Sequence, residues 1–146
     1  MLIKVKLTKS NSKMPTKAHD DDACYDLYAA IDKPIEINEH SASPMFSLGI
    51  ATEIDPDYFC AIFPRSGLGI KQNLRLSNST GIIDAGYRGE WMTSIYNDSN
   101  DVRIIEPGQK VCQFAVLPVI KSDLEVVNEL SESERGSSGF GSTGIK

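Results

Sequence analysis

The sequence is poor in several features that mark particular classes of protein. It contains three cysteines, two histidines and one tryptophan in 146 residues, and its 15 lysines and arginines are outnumbered by 20 aspartates and glutamates, for a net charge of −5. A chain without a basic block is poorly suited to bind a long stretch of nucleic-acid backbone, so we expect no nucleic-acid partner. A site for a single phosphate-bearing ligand remains compatible with this charge.

The few cysteines also exclude a common kind of metal site. Cys24, Cys60 and Cys112 lie far apart, form no C-x-x-C pair and have no histidine at a spacing that would complete a zinc site. We therefore expect three buried thiols in a reducing compartment.

Long apolar runs are missing as well. The best of them, residues 111–120, contains Gln113 and Pro118 and falls short of the ~18 apolar residues that a membrane-spanning helix needs. Lysines interrupt the apolar residues of the N-terminus, which therefore does not resemble a signal peptide. We expect a protein without a membrane partner that is cytoplasmic, and a nuclear or virus-encoded intracellular protein would fit the same observations.

The apolar residues that are present follow the period of β-strands. Ile3, Val5 and Leu7 alternate with lysines, as expected of a half-buried strand. Turn signals rich in Asp, Asn, Pro and Gly separate further short apolar runs, which are 45–54, 58–63, 91–96, 102–105, 111–120 and 124–130. Many short strands at this spacing predict a single all-β domain: a sandwich, jelly roll or barrel. Only 66–72 is compatible with a helix, of one or two turns.

The C-terminal segment 135–144, with the sequence RGSSGFGSTG, cannot join a core. Its glycine, serine and threonine residues offer N–H and hydroxyl donors to a phosphate, while Arg135 supplies a planar charge and Phe140 a stacking face. We interpret the segment as a flap that orders over a ligand with both a phosphate and a ring. A flexible Gly/Ser terminus without a role is the alternative interpretation.

Two internal segments carry further candidate chemistry. Arg65 precedes a possible helical turn at Ser66, which would direct N–H groups and a hydroxyl at an anion, although an ordinary strand-to-helix turn gives the same pattern. In 81–91, GIIDAGYRGEW, Asp84 follows two isoleucines between glycines. This pattern predicts a hairpin that presents one carboxylate as a general base toward water. An aspartate that caps its own turn is the alternative.

Taken together and in order, five segments resemble the motifs of the trimeric deoxyuridine triphosphatases, or dUTPases. They are 23–29 (ACYDLYA), 64–69 (PRSGLG), 81–91, Gly108 with Gln113, and 135–144. The resemblance covers almost the whole chain and implies an all-β jelly-roll or β-clip-like core, residues 1–134, with one short helix. It also implies a flexible C-terminal flap, 135–146, exchanged between the subunits of a homotrimer. One position departs from the pattern, because Cys24 stands where the first motif usually has glycine.

The activity implied by this resemblance is the Mg²⁺-dependent hydrolysis of dUTP to dUMP and pyrophosphate, which keeps uracil out of DNA and supplies dUMP for dTMP synthesis. Asp84 then corresponds to the base that orients water for in-line attack on the α-phosphorus. Asp26 corresponds to a carboxylate that contacts the metal through water. The implied phosphate-binding residues are Arg65, Ser66, Gly67, Gln113, Arg135, Gly141, Ser142 and Thr143.

The resemblance also implies a set of nucleoside contacts. Tyr87 corresponds to a ring that packs under the deoxyribose and leaves no space for a 2′-hydroxyl. The residues that correspond to uracil contacts are Asn78, Ile82, Ile83, Met92 and Phe140.

Two alternative functions share the same scaffold. The related dCTP deaminases carry a glutamate two residues before a Tyr-Asn-like pair, and in this chain Ser94 occupies that place before Tyr96 and Asn97. Deamination would therefore lack its general acid/base. A non-catalytic homologue that senses nucleotides or binds a partner is the second alternative. The intact Asp84 and the intact C-terminal segment 135–144, here called the tail, argue against a loss of catalysis. They do not argue against an additional binding partner.

Overall fold

The structure is a computed structural model that describes residues 1–137 and 139. Its described part is built from short β-strands and one short helix. The elements in chain order are β1 Lys4–Leu7, β2 Tyr25–Tyr28, β3 Ile35–Ile37, β4 Ser41–Ala42, β5 Phe46–Ser47, β6 Ile50–Glu53, β7 Tyr58–Pro64, α1 Ser66–Gln72, β8 Leu74–Leu76, β9 Gly81–Ile83, β10 Met92–Thr93, β11 Ile95–Asn97, β12 Arg103–Ile105 and β13 Lys110–Pro118. The prediction of a single all-β domain with one short helix is confirmed.

The sheet that positions most of the candidate residues has the strand order β2-β13-β7-β9. The long strand β13 lies between β2 and β7 and pairs antiparallel with both. Strand β9 covers the other side of β7, with Ile83 opposite Cys60 and Gly81 opposite Ile62. The remaining pairs, β1-β6, β10-β5 and β12-β3, and the three-stranded β4-β11-β8 are also antiparallel.

Aliphatic and aromatic side chains from all these sheets share one core. Trp91 is 0% exposed and packs edge-on against Phe114, with 5.1 Å between the ring centroids, and Phe114 in turn stacks on Tyr25. Removing such a side chain from water stabilises the fold by roughly 1.5–3 kcal/mol. Other side chains that are at most 1% exposed include Leu27, Ile37, Ile50, Leu74, Ile95 and Ile105.

Helix α1 has the position and length expected from the sequence. It begins directly after β7 with Arg65 as an extended N-cap, and it ends at Asn73, whose φ of 55° is left-handed. Such a residue terminates a helix and lets its N–H group bond the last carbonyls. The Asn73 N–H group donates to the carbonyl oxygen of Gly69 at 3.2 Å. Only Leu68 of the helix is buried.

The strand predicted for 124–130 is wrong for the single chain. This run forms neither strand nor helix. Leu124 and Val126 are 98% and 100% exposed, so the segment does not lie against the core. The apolar pattern indicates a surface that can pair, but a strand forms only where a second backbone edge accepts its hydrogen bonds.

Cys60 and Cys112 are buried free thiols as expected, whereas Cys24 is only half-buried. Within residues 1–137 and 139, no helix combines the length and the apolar character needed to cross a membrane.

Candidate functional site

Three predicted site residues from distant parts of the chain meet at one end of the large sheet. Gln113 on β13 stands opposite Asp26 on β2 and opposite Phe63 on β7. Arg65 Nε, one residue beyond β7, donates to Asp26 Oδ1 at 2.7 Å, and Gln113 Nε2 donates to the carbonyl oxygen of Pro64 at 3.0 Å. Asp26, Arg65 and Gln113, together with Ala18, Asp22, Ala23 and Cys24, line a cleft of about 300 Å³, which we call the Asp26 cleft.

The cysteine of the first motif fits this cleft without distorting it. Among the described non-glycine residues, positive φ angles occur at His40, Asn73 and Ser79 only, so Cys24 does not need a conformation reserved for glycine. Asp26, two residues later, still reaches Arg65. Burial raises the pKa of the half-buried Cys24 thiol, with the Asp26 carboxylate acting in the same direction.

Lys110 belongs to the same cluster and was not identified from the sequence. Its ammonium Nζ lies 2.7 Å from Asp26 Oδ2, and this hydrogen bond raises the pKa of Lys110. Residues 110 and 113 of a regular strand would point to opposite faces, but a bulge between Lys110 and Cys112 shifts the register by one residue. The two side chains can therefore serve one cleft, and no sequence pattern signals this bulge.

The start of α1 borders the Asp26 cleft at Arg65. Intrahelical bonding begins with the N–H groups of Leu68 and Gly69, which both donate to the carbonyl oxygen of Arg65. The N–H groups of Ser66 and Gly67 precede these bonds, as at the start of any helix. Nothing lies within 4 Å of the position that a Cβ would take on Gly67, so a ligand atom can approach its backbone closely.

A second group of predicted residues lines a separate cavity of about 140 Å³, which we call the Asn78 cavity. Asn78, Gly81 and Met92 border it, together with Met45, Ile62, Leu76, Ser77, Thr93 and Ser94. Ile82 and Ile83 lie next to it on β9, with Ile82 exposed and Ile83 half-buried. The structure thus brings Asn78 and Met92 together from opposite sides of the third motif.

Residues 84–91, here called the Asp84 loop, connect β9 to β10. The predicted hairpin is wrong in one respect: β9 pairs with β7, whereas β10 pairs with β5, so the two arms belong to different sheets. The loop is nevertheless tight, because Tyr87 N–H donates to the carbonyl oxygen of Asp84 at 3.0 Å. Asp84 itself is exposed and presents its carboxylate to solvent.

Tyr87 is fixed within the same loop. Its hydroxyl donates to the carbonyl oxygen of Glu90 at 3.0 Å, although the side chain is 44% exposed. Arg88 Nη1 donates to the carbonyl oxygens of Ala85 at 2.5 Å and of Tyr87 at 3.1 Å. These hydrogen bonds hold the side chains of Tyr87 and Arg88 against the backbone of the loop.

Within one chain, Asp84 and the Asp26 cleft lie at opposite ends of β7. Ile83 is opposite Cys60, so Asp84 follows at the level of Phe59, six residues before Arg65. At about 3.3 Å per residue of extended strand, this corresponds to a separation of about 20 Å. One phosphate group of a bound ligand therefore cannot contact both Asp84 and Arg65 of the same chain.

The tail residues can be placed only in part. Arg135 is exposed and lies in a turn in which Gly136 N–H donates to the carbonyl oxygen of Ser133 at 3.0 Å. The predicted contacts of Phe140, Gly141, Ser142 and Thr143 lie outside the described residues.

The described residues also bear on the expected metal. Across residues 1–137 and 139, no group of three His, Cys, Asp or Glu side chains is arranged to hold an ion. Mg²⁺ commonly keeps several waters and is bound by one or two carboxylates together with substrate phosphates. Asp26 provides one such carboxylate in a cleft that also contains Arg65. The residues present therefore fit a magnesium ion that arrives with a phosphate ligand.

Comparison with known proteins places the chain in a family. Residues 10–144 match the family model described as dUTPase. The deoxyuridine 5′-triphosphate nucleotidohydrolase of Clostridium tetani is 41% identical over 142 residues, which cover 97% of this chain and 96% of that protein. The protein of the same name from a Psychrobacter species is 42% identical, with 94% and 90% covered. A solved structure of the Staphylococcus bacteriophage 80alpha dUTPase with dUPNHPP matches at a TM-score of 0.89 and 28% identity, with 99% of each chain covered. This chain belongs to the dUTPase family.

Proposed function

We propose that this protein hydrolyses dUTP to dUMP and pyrophosphate, at sites that form between the subunits of a homotrimer. The observation that carries the proposal is the division of the family motifs into two well-formed halves: the Asp26 cleft, with Arg65, and the Asp84 loop. One half offers cations and N–H groups, and the other offers the exposed carboxylate of Asp84, three residues along the chain from Gly81, which borders the Asn78 cavity. Membership of the dUTPase family supplies the substrate.

The half that contains the Asp26 cleft binds the triphosphate in this proposal. Arg65 and Lys110 are two cations that both contact Asp26, so the cluster offers charged N–H donors to an anionic ligand. The N–H groups of Ser66 and Gly67 add hydrogen-bond donors. These groups stabilise the charge that develops on phosphate oxygens as the pyrophosphate leaves. Gln113 and Arg135 extend the same phosphate contacts.

The half that contains the Asp84 loop and the Asn78 cavity recognises the base and the sugar. Asn78, Ile82, Ile83 and Met92 border the space proposed for uracil, and the Tyr87 ring lies under the deoxyribose. The Asp84 carboxylate accepts a proton from a water molecule as the water attacks the α-phosphorus in line with the departing pyrophosphate. Of the tail residues, Phe140 stacks on uracil, while Gly141, Ser142 and Thr143 contact the phosphates.

Bound magnesium would neutralise charge on the triphosphate and fix its conformation. Of the chain's own residues, Asp26 would hold the ion through water.

A shared site explains why the two halves are separate in one chain. The separation of about 20 Å between Asp84 and Arg65 along β7 exceeds the distance that one α-phosphate can bridge. If the Asp84 loop of one subunit faces the Asp26 cleft of the next, three equivalent sites result from threefold symmetry, which is closed and head-to-tail. The exposed run 124–130 and the tail are then available to neighbouring subunits.

A cytoplasmic location is part of the same proposal. All three cysteines are free thiols, as is usual in a reducing compartment.

The direct test is a pyrophosphate-release assay with dUTP, dCTP, dTTP and UTP at equal concentrations. We expect release from dUTP with much less from the other three. Equal release from dCTP or dTTP would contradict uracil recognition. Ammonia release from dCTP is measured in the same samples. If no ammonia is released, deamination is excluded as the activity of this protein.

A further inference from the structure

Glu90 links the Asp84 loop to Thr8, the residue after β1. Its carboxylate accepts a hydrogen bond from the Thr8 hydroxyl, and Thr8 first and Ser47 second lower the pKa of Glu90. Ser47 is 2% exposed, and its Oγ accepts the N–H group of Gly49 at 2.9 Å, so its own hydroxyl proton is available to Glu90. The Glu90 side chain is therefore fixed from the side of the core.

The backbone next to Glu90 is equally constrained. Trp91 N–H donates to the carbonyl oxygen of Ile50 at 2.8 Å, and the Trp91 carbonyl accepts from Leu48 N–H at 2.8 Å. Trp91 is completely buried. Since the next residue, Trp91, and the Glu90 side chain are both held, the carbonyl oxygen of Glu90 has a defined position.

Tyr87 takes its position from that carbonyl oxygen. Its hydroxyl donates to Glu90 O at 3.0 Å, and its ring lies over Gly89, where an added Cβ would come within 2.9 Å of ring atom Cε2. Despite these contacts, Tyr87 is 44% exposed to solvent. The ring is thus a surface group whose direction is set by one anchored acceptor.

We propose that Glu90 is a positioning residue that holds the Tyr87 ring against the sugar and thereby sets the preference for deoxyribose over ribose. The inference rests on the proposed function, in which Tyr87 packs under the deoxyribose. A packed ring rejects a 2′-hydroxyl only if it cannot move aside, so the strength of rejection depends on what fixes the ring. The carboxylate of Glu90, through its hydrogen bond with Thr8, adds to the fixation that the backbone bonds of Trp91 provide.

The readout is the ratio of kcat/KM for dUTP to kcat/KM for UTP. Glu90→Gln keeps the length of the side chain but removes its charge and one of its two acceptor oxygens, which weakens the charge-assisted bonds. Thr8→Val keeps the shape of Thr8 and removes its hydroxyl, whereas Thr8→Ser keeps the hydroxyl. We expect the ratio to fall about tenfold in Glu90→Gln and several-fold in Thr8→Val, mainly through better use of UTP, and to stay at the wild-type value in Thr8→Ser.

Tyr87→Ala separates failure of this inference from failure of the proposed function. If Tyr87→Ala lowers the ratio while Glu90→Gln and Thr8→Val leave it unchanged, the positioning role is wrong and the function stands. If Tyr87→Ala leaves the ratio unchanged, sugar selection lies elsewhere and both the role of Tyr87 and this inference are wrong. A merely structural Glu90 would lower the melting temperature without moving the ratio. Should Glu90→Gln not fold, the Thr8 pair still decides.

Discussion

Arg65 Nε and Asp26 Oδ1 lie 2.7 Å apart although 39 positions separate the two residues in the sequence. The second carboxylate oxygen is 2.7 Å from the ammonium of Lys110. Three strands or strand ends contribute one charged group each, so the cluster exists only because β13 lies between β2 and β7. Two cations thus contact one half-buried anion, and their charged N–H donors suit a ligand that carries several phosphates.

Asp26→Asn is expected to raise the Mg²⁺ concentration needed for half-maximal dUTP hydrolysis by about tenfold or more, because residues that hold a metal through water typically contribute that much. Metal titration of the initial rate measures this. Asp22→Asn is the matched control, since Asp22 lines the same cleft but bonds only the N–H groups of Ala18 and His19. Equal shifts in both variants would contradict a specific role for Asp26.

Asp84→Asn should abolish turnover while dUTP affinity stays within about tenfold of wild type, because the amide fills the same space but accepts no proton. Single-turnover rates and equilibrium binding with a non-hydrolysable analogue measure the two effects separately. If the variant retained more than about a tenth of the wild-type rate, another residue would have to be the base.

Mixed oligomers test whether a site is shared between chains. Asp84→Asn and Arg65→Ala are each expected to be inactive as pure proteins. In a 1:1 mixture refolded together, random pairing of neighbouring chains in a cyclic trimer gives about one quarter of sites with an intact Asp84 and an intact Arg65. We expect about that fraction of wild-type dUTP hydrolysis.

The composition of the mixture is checked by native mass spectrometry. Hybrid oligomers without activity above either parent would show that Asp84 and Arg65 act within one chain. The same design, with a chain that ends at Glu134 in place of Arg65→Ala, asks whether residues 135–146 and the base come from different subunits.

The three cysteines should differ in reactivity. Burial raises the pKa of Cys60 to about 11 and that of Cys112 still further, and both side chains are 0% exposed. Cys24 is half-buried in the Asp26 cleft. Iodoacetamide at pH 8 should therefore label Cys24 first, with protection by dUTP and Mg²⁺, as followed by peptide mass spectrometry. Labelling of Cys60 or Cys112 at a similar rate in the native protein would contradict the burial argument, and Cys24→Ser identifies the first modified site.

The contribution of Glu90 to stability should depend on pH in one direction. The hydrogen bond from Thr8, and then the nearby Ser47 hydroxyl, hold its pKa below the ordinary value of 4.5, so the folded state binds its proton less readily than the unfolded state. The stabilisation is present above pH 4.5 and is lost as pH falls through the folded-state pKa. The difference in melting temperature between wild type and Glu90→Gln should thus be largest near neutral pH and shrink below pH 4.5. A constant difference from pH 3 to pH 7 would contradict this assignment.

The sequence by itself determined the class of fold and the family. Alternation in residues 3–7 and the turn residues between short apolar runs are local properties, and each is sufficient to predict a strand or a turn. Helix α1 was predictable for the same reason. The motifs around Asp26, Arg65 and Asp84 identified the family, because the identity and order of their residues can be read from the sequence without knowing any contact.

Only the tertiary structure decided which residues act together. Lys110 reaches Asp26 because of a register shift in β13, and the arms of the Asp84 loop enter different sheets, which no local period encodes. The run 124–130 has a strand-like pattern but finds no backbone partner in the described part of its own chain. Strand pairing joins positions far apart in sequence, and its register depends on the neighbouring strands. For this reason the contact between Thr8 and Glu90, 82 positions apart, could be read only from the folded chain.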